Sequence, residues 1–267
     1  MKKILCAVMV ILLAGVVVFT SCSKKEPAAT KLICGVTEFE PMNFRDTSGR
    51  WTGFDTELAI LVGQKLGIEV EFQEIEWSYK YQELEAGTIT AIWNGFTANA
   101  TENGTPRSNW VDFSYSYLRN QQCVIIRSAR SGEFTKVSDL AGKTAAAESG
   151  SAGESFAKEV IGSNGSIIGS PAQISTFLEV KAGSVDFSVV DVLLGKRLAG
   201  SGDYSDLMIA DITLDHEVYA VGFKKGSSLR DKVNSALKEL YDEGKLLDLA
   251  KKYHLEDSLV LDVDFKG

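Results

Sequence analysis

Histidine is almost missing from this chain: His216 and His254 are its only two. Neither an H-E-x-x-H metalloprotease helix nor a zinc finger can be written with them. A Ser–His–Asp triad is disfavoured, because neither histidine stands in a catalytic setting. Cysteine is also scarce, with four residues, Cys6, Cys22, Cys34 and Cys123, and no C-x-x-C pair. Cys34 and Cys123 fall inside apolar strand-like runs, LICGV and CVIIR. An exported compartment permits a disulfide, but two mid-strand positions restrict bridge geometry, so two buried thiols are expected. No cluster of Lys and Arg occurs, and the formal net charge is −8, which disfavours nucleic acid.

Nucleotide and nucleophile motifs are absent too. Ala141-Gly142-Lys143-Thr144 looks like the end of a P-loop, but Val137 stands where its first glycine belongs. No G-x-G-x-x-G follows a strand, and no G-x-S-x-G elbow is present. There is no internal repeat. No metal and no cofactor is expected.

The N-terminus carries the strongest compositional signal. Lys2 and Lys3 precede an apolar run from Ile4 to Phe19, followed by Thr20-Ser21-Cys22 and a polar stretch. A bilayer-spanning helix needs about 20 apolar residues, so this shorter run suits a signal peptide over 1–21. Small residues directly before Cys22 resemble the lipobox of bacterial lipoproteins, although Phe19 replaces the usual Leu. Lipidation (palmitate) of Cys22 and a tether over 22–30 are expected, because acyl chains hold a soluble domain at a membrane surface. The length beyond the tether is enough for two domains or lobes.

From Lys31 the apolar runs alternate with amphipathic ones. Leu32–Val36, Val70–Ile75 and a run from Ile89 read as strands. Between them lie a helix capped by Asp55 and ended by Gly67, and a short helix from Tyr79 to Ala86. A second series follows. Gln122–Arg127, Thr144–Ala147, Ser166–Gly169 and Val185–Val190 read as strands. Helices are expected over 152–160 and after Ser170-Pro171, with Ser170 as cap. Tyr219–Phe223 reads as a strand, and two C-terminal helices carry Leu229 to Leu240 and Leu246 to Tyr253. Strand–helix–strand series of this kind signal α/β lobes with mostly parallel sheets.

Several segments, in order, resemble one family. Gly53-Phe54-Asp55-Thr56-Glu57-Leu58-Ala59 looks like its GFDvdLA. Leu84-Glu85-Ala86-Gly87-Thr88-Ile89 looks like its L-x-x-G-x-I. Arg107 to Ser114 looks like R-x-x-x-V-D-F-S, and Val185 to Asp191 looks like V-D-A-V-V-x-D. Gly222-Phe223 through Gly244 resembles the closing strand and helix. From Lys31 to about Leu255 the chain therefore resembles the extracytoplasmic solute-binding proteins of polar amino-acid ABC transporters (bacterial solute-binding protein family 3), in lipoprotein form. The resemblance implies an α/β two-lobed periplasmic-binding-protein fold (type II), its lobes joined by a two-strand hinge. Lobe 1 would span 31–118 and 219–267, and lobe 2 would span 119–218. It also implies a monomer that binds a small amino acid outside a bacterial membrane and delivers it to an ABC permease.

The family's ligand contacts map onto Glu38, Phe39, Trp77, Gly95, Thr97, Arg107, Ser151 and Asp191. Phe39 and Trp77 would sandwich the ligand's side chain. The backbone N–H of Gly95, the hydroxyl of Thr97 and the guanidinium of Arg107 would hold its carboxylate. Arg107 stands ten residues after Thr97, where the family usually has five, as if Asn99 to Gly104 were inserted. Asp191 would receive the α-ammonium, with Ser151 a further carboxylate donor and Glu38 a further contact to an amino group. Trp93 and Asn94 replace residues that are usually small. Two other functions fit the same fold, a cyclic-acid dehydratase using Glu38 or Glu148 as acid or base, and a surface sensor or adhesin lipoprotein.

Overall fold

The computed structural model describes residues 31–265. The expected signal peptide, Cys22 and the expected tether lie outside the described residues. Two sheets organise the chain. In the first, Lys31–Val36 pairs in parallel with Glu69–Glu74 on one side and with Ala91–Ile92 on the other. Gly222–Phe223 and Asp112–Phe113 complete it with antiparallel pairings. The second repeats the plan. Thr144–Glu148 lies between Ser166–Ser170 and Phe187–Asp191, both parallel to it, and Ser116–Arg127 and Leu207–Ile209 add antiparallel strands. Parallel pairing comes from strand–helix–strand units within each lobe. The antiparallel pairings arise where the chain passes between lobes.

That passage is built on one 12-residue strand, Ser116–Arg127. Its second half lies in the second sheet. Its first half pairs with the returning strand His216–Tyr219 and with Leu259–Asp262. The two lobes are thus joined by adjacent, hydrogen-bonded strands.

Helix Phe54–Leu66 buries Phe54, Leu58, Ala59 and Val62 against the first sheet and ends at Gly67 in the left-handed conformation. Its cap position is Gly53, not Asp55. Asp55 is fully buried in the helix's first turn, where its carboxylate accepts the backbone N–H of Gly95 at 2.6 Å. Gly53 has φ +116°, and a Cβ there would lie 2.3 Å from the Met42 carbonyl oxygen. Gly53→Ala is therefore expected to cost about 2–4 kcal/mol, combining backbone strain with a clash against fixed backbone. A urea midpoint matching that of the wild type would contradict this.

Other boundaries shift for local reasons. Ser170 ends a strand and its hydroxyl donates to Glu179, while the following helix begins at Gln173 beyond Pro171. The strand expected at Ile89 starts at Ala91, and Val185–Val190 becomes Phe187–Asp191. Tyr219–Phe223 splits into His216–Tyr219 and Gly222–Phe223, because one half pairs with the crossing strand and the other with the first sheet. Cys34 and Cys123 are buried and unpaired. Among the described residues no helix is long and apolar enough to cross a membrane.

Candidate functional site

Open α/β sheets present ligand sites beyond the carboxyl ends of their parallel strands. Here both sheets point those ends at each other. Trp77 follows Glu69–Glu74, and Asn94, Gly95 and Thr97 follow Ala91–Ile92. Glu148 ends Thr144–Glu148, and Asp191 ends Phe187–Asp191. These residues, with Arg107, Ser151, Ala152 and Gln173, surround one cavity of only about 10 Å³. That is room for about one water, so the lobes stand closed on each other.

Arg107 is 1% exposed. Its Nη1 donates to the Thr97 carbonyl at 3.0 Å within its own lobe. Its Nη2 donates to the Gly150 carbonyl of the facing lobe at 3.1 Å. Nε makes no hydrogen bond, and the Phe96 ring lies under the guanidinium at 4.8 Å. The residues between Thr97 and Arg107 fold as a hairpin, Thr101–Glu102 against Thr105–Pro106. Its turn is Asn103-Gly104, both with positive φ, the residues such a two-residue turn prefers. The hairpin carries Glu102 to within 3.7 Å of Arg107 Nε and 3.1 Å of Lys80 Nζ.

Lys80 was not expected in the site, and nothing in its helical context marks it. Its side chain is fully buried. Nζ donates to the Gly150 carbonyl at 2.9 Å, the same oxygen that Arg107 reaches, and sits 4.5 Å from the Tyr81 ring centroid. Burial, reinforced by the Arg107 charge, lowers its pKa to about 8 against the pull of Glu102.

Facing these cations is an acid cluster. Asp191 accepts from Tyr219 Oη at 2.6 Å, Gln173 Nε2 at 2.5 Å, Gln122 Nε2 at 3.1 Å, and Asn120 Nδ2. Asn120 and Gln122 also donate to Glu217, each at 2.9 Å, so the two carboxylates share two amides across the crossing strands. Thr97 Oγ1 donates to Glu217 at 3.2 Å. Glu148 is 3% exposed, and its Oε1 has no hydrogen-bond partner. Burial, then the charge of Asp191, pushes Glu148 up to about 8 and Glu217 up to about 7. Burial also raises Asp191, against the donors around it.

The remaining expected contacts divide. Ser151 lines the cavity, but its Oγ accepts the Glu154 N–H at 2.9 Å as a helix cap. Gly95 lines it as well, yet its N–H is engaged by Asp55 and does not face the cleft. Gly95 has φ +53°, and a Cβ there would lie 2.4 Å from the Phe39 ring. Phe39 therefore packs behind Gly95, edge-on to Tyr219, and does not border the cavity; of the expected aromatic pair only Trp77 does. Glu38 points away, with its carboxylate 3.8 Å from Arg45. Trp93 is core, and Asn94 is held by Thr37.

These raised carboxylates set a pH dependence. Each binds a proton more tightly folded than unfolded, so its stabilisation is complete below the ordinary carboxylate range and is lost as pH rises through about 7 to 8. Acids held low by partners, such as Asp112 and Asp186, lose their contribution only at the acid end of the scale. Thermal unfolding of the ligand-free protein should thus show a melting temperature that falls between about pH 5 and about pH 8. Glu148→Gln should flatten that slope. A flat or rising wild-type profile would refute the assignment.

Comparison with known proteins agrees with this fold. The family model "Bacterial extracellular solute-binding proteins, family 3" matches residues 32–256. The arginine-binding extracellular protein ArtP of Bacillus subtilis is 29% identical over 255 residues, spanning 92% of this chain and 96% of its own. An ancestral arginine-binding protein bound to arginine superposes with TM-score 0.77 at 28% identity, covering 84% of this chain and 98% of its own. An ABC uptake transporter substrate-binding protein from Streptococcus pneumoniae with bound histidine gives TM-score 0.75 at 30% identity, covering 86% and 95%. With the family match running through both lobes, the chain belongs to the bacterial extracellular solute-binding proteins of family 3.

Proposed function

We propose that this protein captures an amino acid outside the cytoplasmic membrane and presents it to an ABC permease. The observation that carries this reading is the placement of Arg107 and Asp191 on opposite lobes around one buried cavity. The two opposite charges suit a zwitterion. A carboxylate pairs with the guanidinium, and an α-ammonium pairs with Asp191. A ligand that touches both lobes only when they close stabilises the closed form by its differential affinity. The hinge of this motion is Ser116–Arg127 with His216–Tyr219. The moving bodies are residues 31–118 with 219–267, and residues 119–218. Thr97 and Ser151 border the ligand, and the side chain of the ligand lies against Trp77. Relatives that carry arginine or histidine support an amino acid as cargo.

A thermal-shift screen of the common amino acids tests this directly. Stabilisation by at least one α-amino acid is the expected result, and silence across all of them would refute it. Anchoring is a separate part of the proposal. Cys22 carries lipid, and the protein acts as a monomer at the membrane surface. Cys22→Ser should move the protein from the membrane fraction to the soluble one and abolish labelling by palmitate. Retention of Cys22→Ser in washed membranes would overturn the anchor.

A further inference from the structure

Once Glu148 is ionised, the charges around the cavity do not balance for a neutral amino acid. Arg107 is assigned to the carboxylate of the ligand and Asp191 to its α-ammonium. Lys80 and Glu102 answer each other at 3.1 Å. Glu217 is satisfied by three neutral donors, Thr97, Asn120 and Gln122. Glu148 is left over. It lies on the cavity wall with Trp77 and makes no direct ion pair among the described residues; its Oε1 is buried without a hydrogen bond, and the charges acting on it are those of Asp191, Lys80 and Arg107. A buried carboxylate in that position is retained at a cost unless something charged or protonated completes it.

We infer that the ligand carries a second cationic group besides its α-ammonium, and that Glu148 receives it beside the Trp77 ring. The inference rests on the amino-acid reading above and narrows it to cationic amino acids. A metal ion is a poor candidate for the missing charge, because no group of His, Cys, Asp and Glu among the described residues is arranged to hold one. An extended guanidinium or alkylammonium suits the site on two counts. It pairs with a carboxylate, and it is attracted to the face of an indole. In the ligand-free protein burial holds the Glu148 pKa at about 8. A cation arriving beside it draws the group back to its charged form, so binding at neutral pH expels a proton.

Calorimetry with two isosteric pairs decides the matter, arginine against citrulline and lysine against norleucine. The wild type should favour the cationic member of a pair by about 100-fold or more, the range of a buried charge pair made or left unmade. Glu148→Gln should compress that ratio at least tenfold. Should the variant fold poorly, the wild type still answers. Arginine titrated near neutral pH in buffers of different ionisation enthalpy should release protons, and citrulline should not. Equal or tighter binding of the neutral isosteres, a ratio untouched by Glu148→Gln, or cation binding without proton release each overturns the inference while leaving an amino-acid carrier intact. No binding by any amino acid removes the reading beneath it as well.

Discussion

Arg107→Ala is expected to weaken ligand binding by about 2–5 kcal/mol, on the order of 30-fold to several thousand-fold in Kd. The guanidinium reaches the cleft already oriented. Nη1 is tied to the Thr97 carbonyl, Nη2 spans the lobes to Gly150, and the Phe96 ring supports its face. Nε is buried and makes no hydrogen bond, with the Glu102 carboxylate 3.7 Å away, so it is the donor that an incoming carboxylate would engage in competition with Glu102. A clamp positioned before the ligand arrives loses little entropy on binding, which is why its removal is felt almost in full. Arg107→Lys should recover only part of the loss, since an ammonium keeps the charge and gives up the planar fork. Lys80 keeps the Gly150 carbonyl bonded in either variant, so the closed lobes retain one of their two cationic ties. Melting temperature should therefore move much less than affinity. A Kd by calorimetry unchanged in Arg107→Ala would remove this residue from the clamp.

Which parts of the site could be read in advance follows from how far each depends on non-local pairing. The strands were legible because buried parallel strands are short continuous apolar runs, and Asp191 stands at the end of one of them, on the cavity wall. The Arg107 spacing was legible as extra residues. Their Asn103-Gly104 dipeptide also held the signal of a hairpin turn, and hence of Glu102. Asp55 misled because an acid at a helix start looks like a cap; its partner, the Gly95 N–H, lies forty residues away in the chain and close only in space. Glu38 misled through sequence adjacency. Neighbouring side chains on extended backbone point to opposite sides, so with Phe39 packed inward Glu38 faces Arg45 and solvent. Glu148 entered only as one of two possible acids or bases of the dehydratase alternative, and Lys80 and Glu217 carried no local signal. A charged residue on a helix or a strand usually faces water, and only the meeting of two lobes buries Lys80 and Glu148 and half-buries Glu217.

Asp191 is the other residue whose loss should be severe, and its environment makes the choice of variant matter. Asp191→Ala removes the acceptor for four buried donors, those of Tyr219, Gln173, Gln122 and Asn120. Each unmet donor costs about 1–3 kcal/mol, so that variant tests folding as much as function. Asp191→Asn keeps an acceptor oxygen but turns an NH2 group toward the same donors. It also relieves Glu148 and Glu217 of a neighbouring negative charge, which lowers both pKa values and makes stability less dependent on pH. Binding should respond differently from stability. Without a carboxylate opposite the α-ammonium, Asp191→Asn is expected to lose about 2–5 kcal/mol of affinity, comparable to Arg107→Ala. The two losses can be told apart with an α-hydroxy acid in place of the α-amino acid. That analogue keeps the carboxylate and lacks the ammonium, so Arg107→Ala should still weaken it strongly, whereas Asp191→Asn should leave its Kd close to that of the wild type. An α-hydroxy acid that loses as much affinity in Asp191→Asn as the amino acid does would mean that Asp191 shapes the cleft without pairing with the ligand, and closure would need another cross-lobe contact.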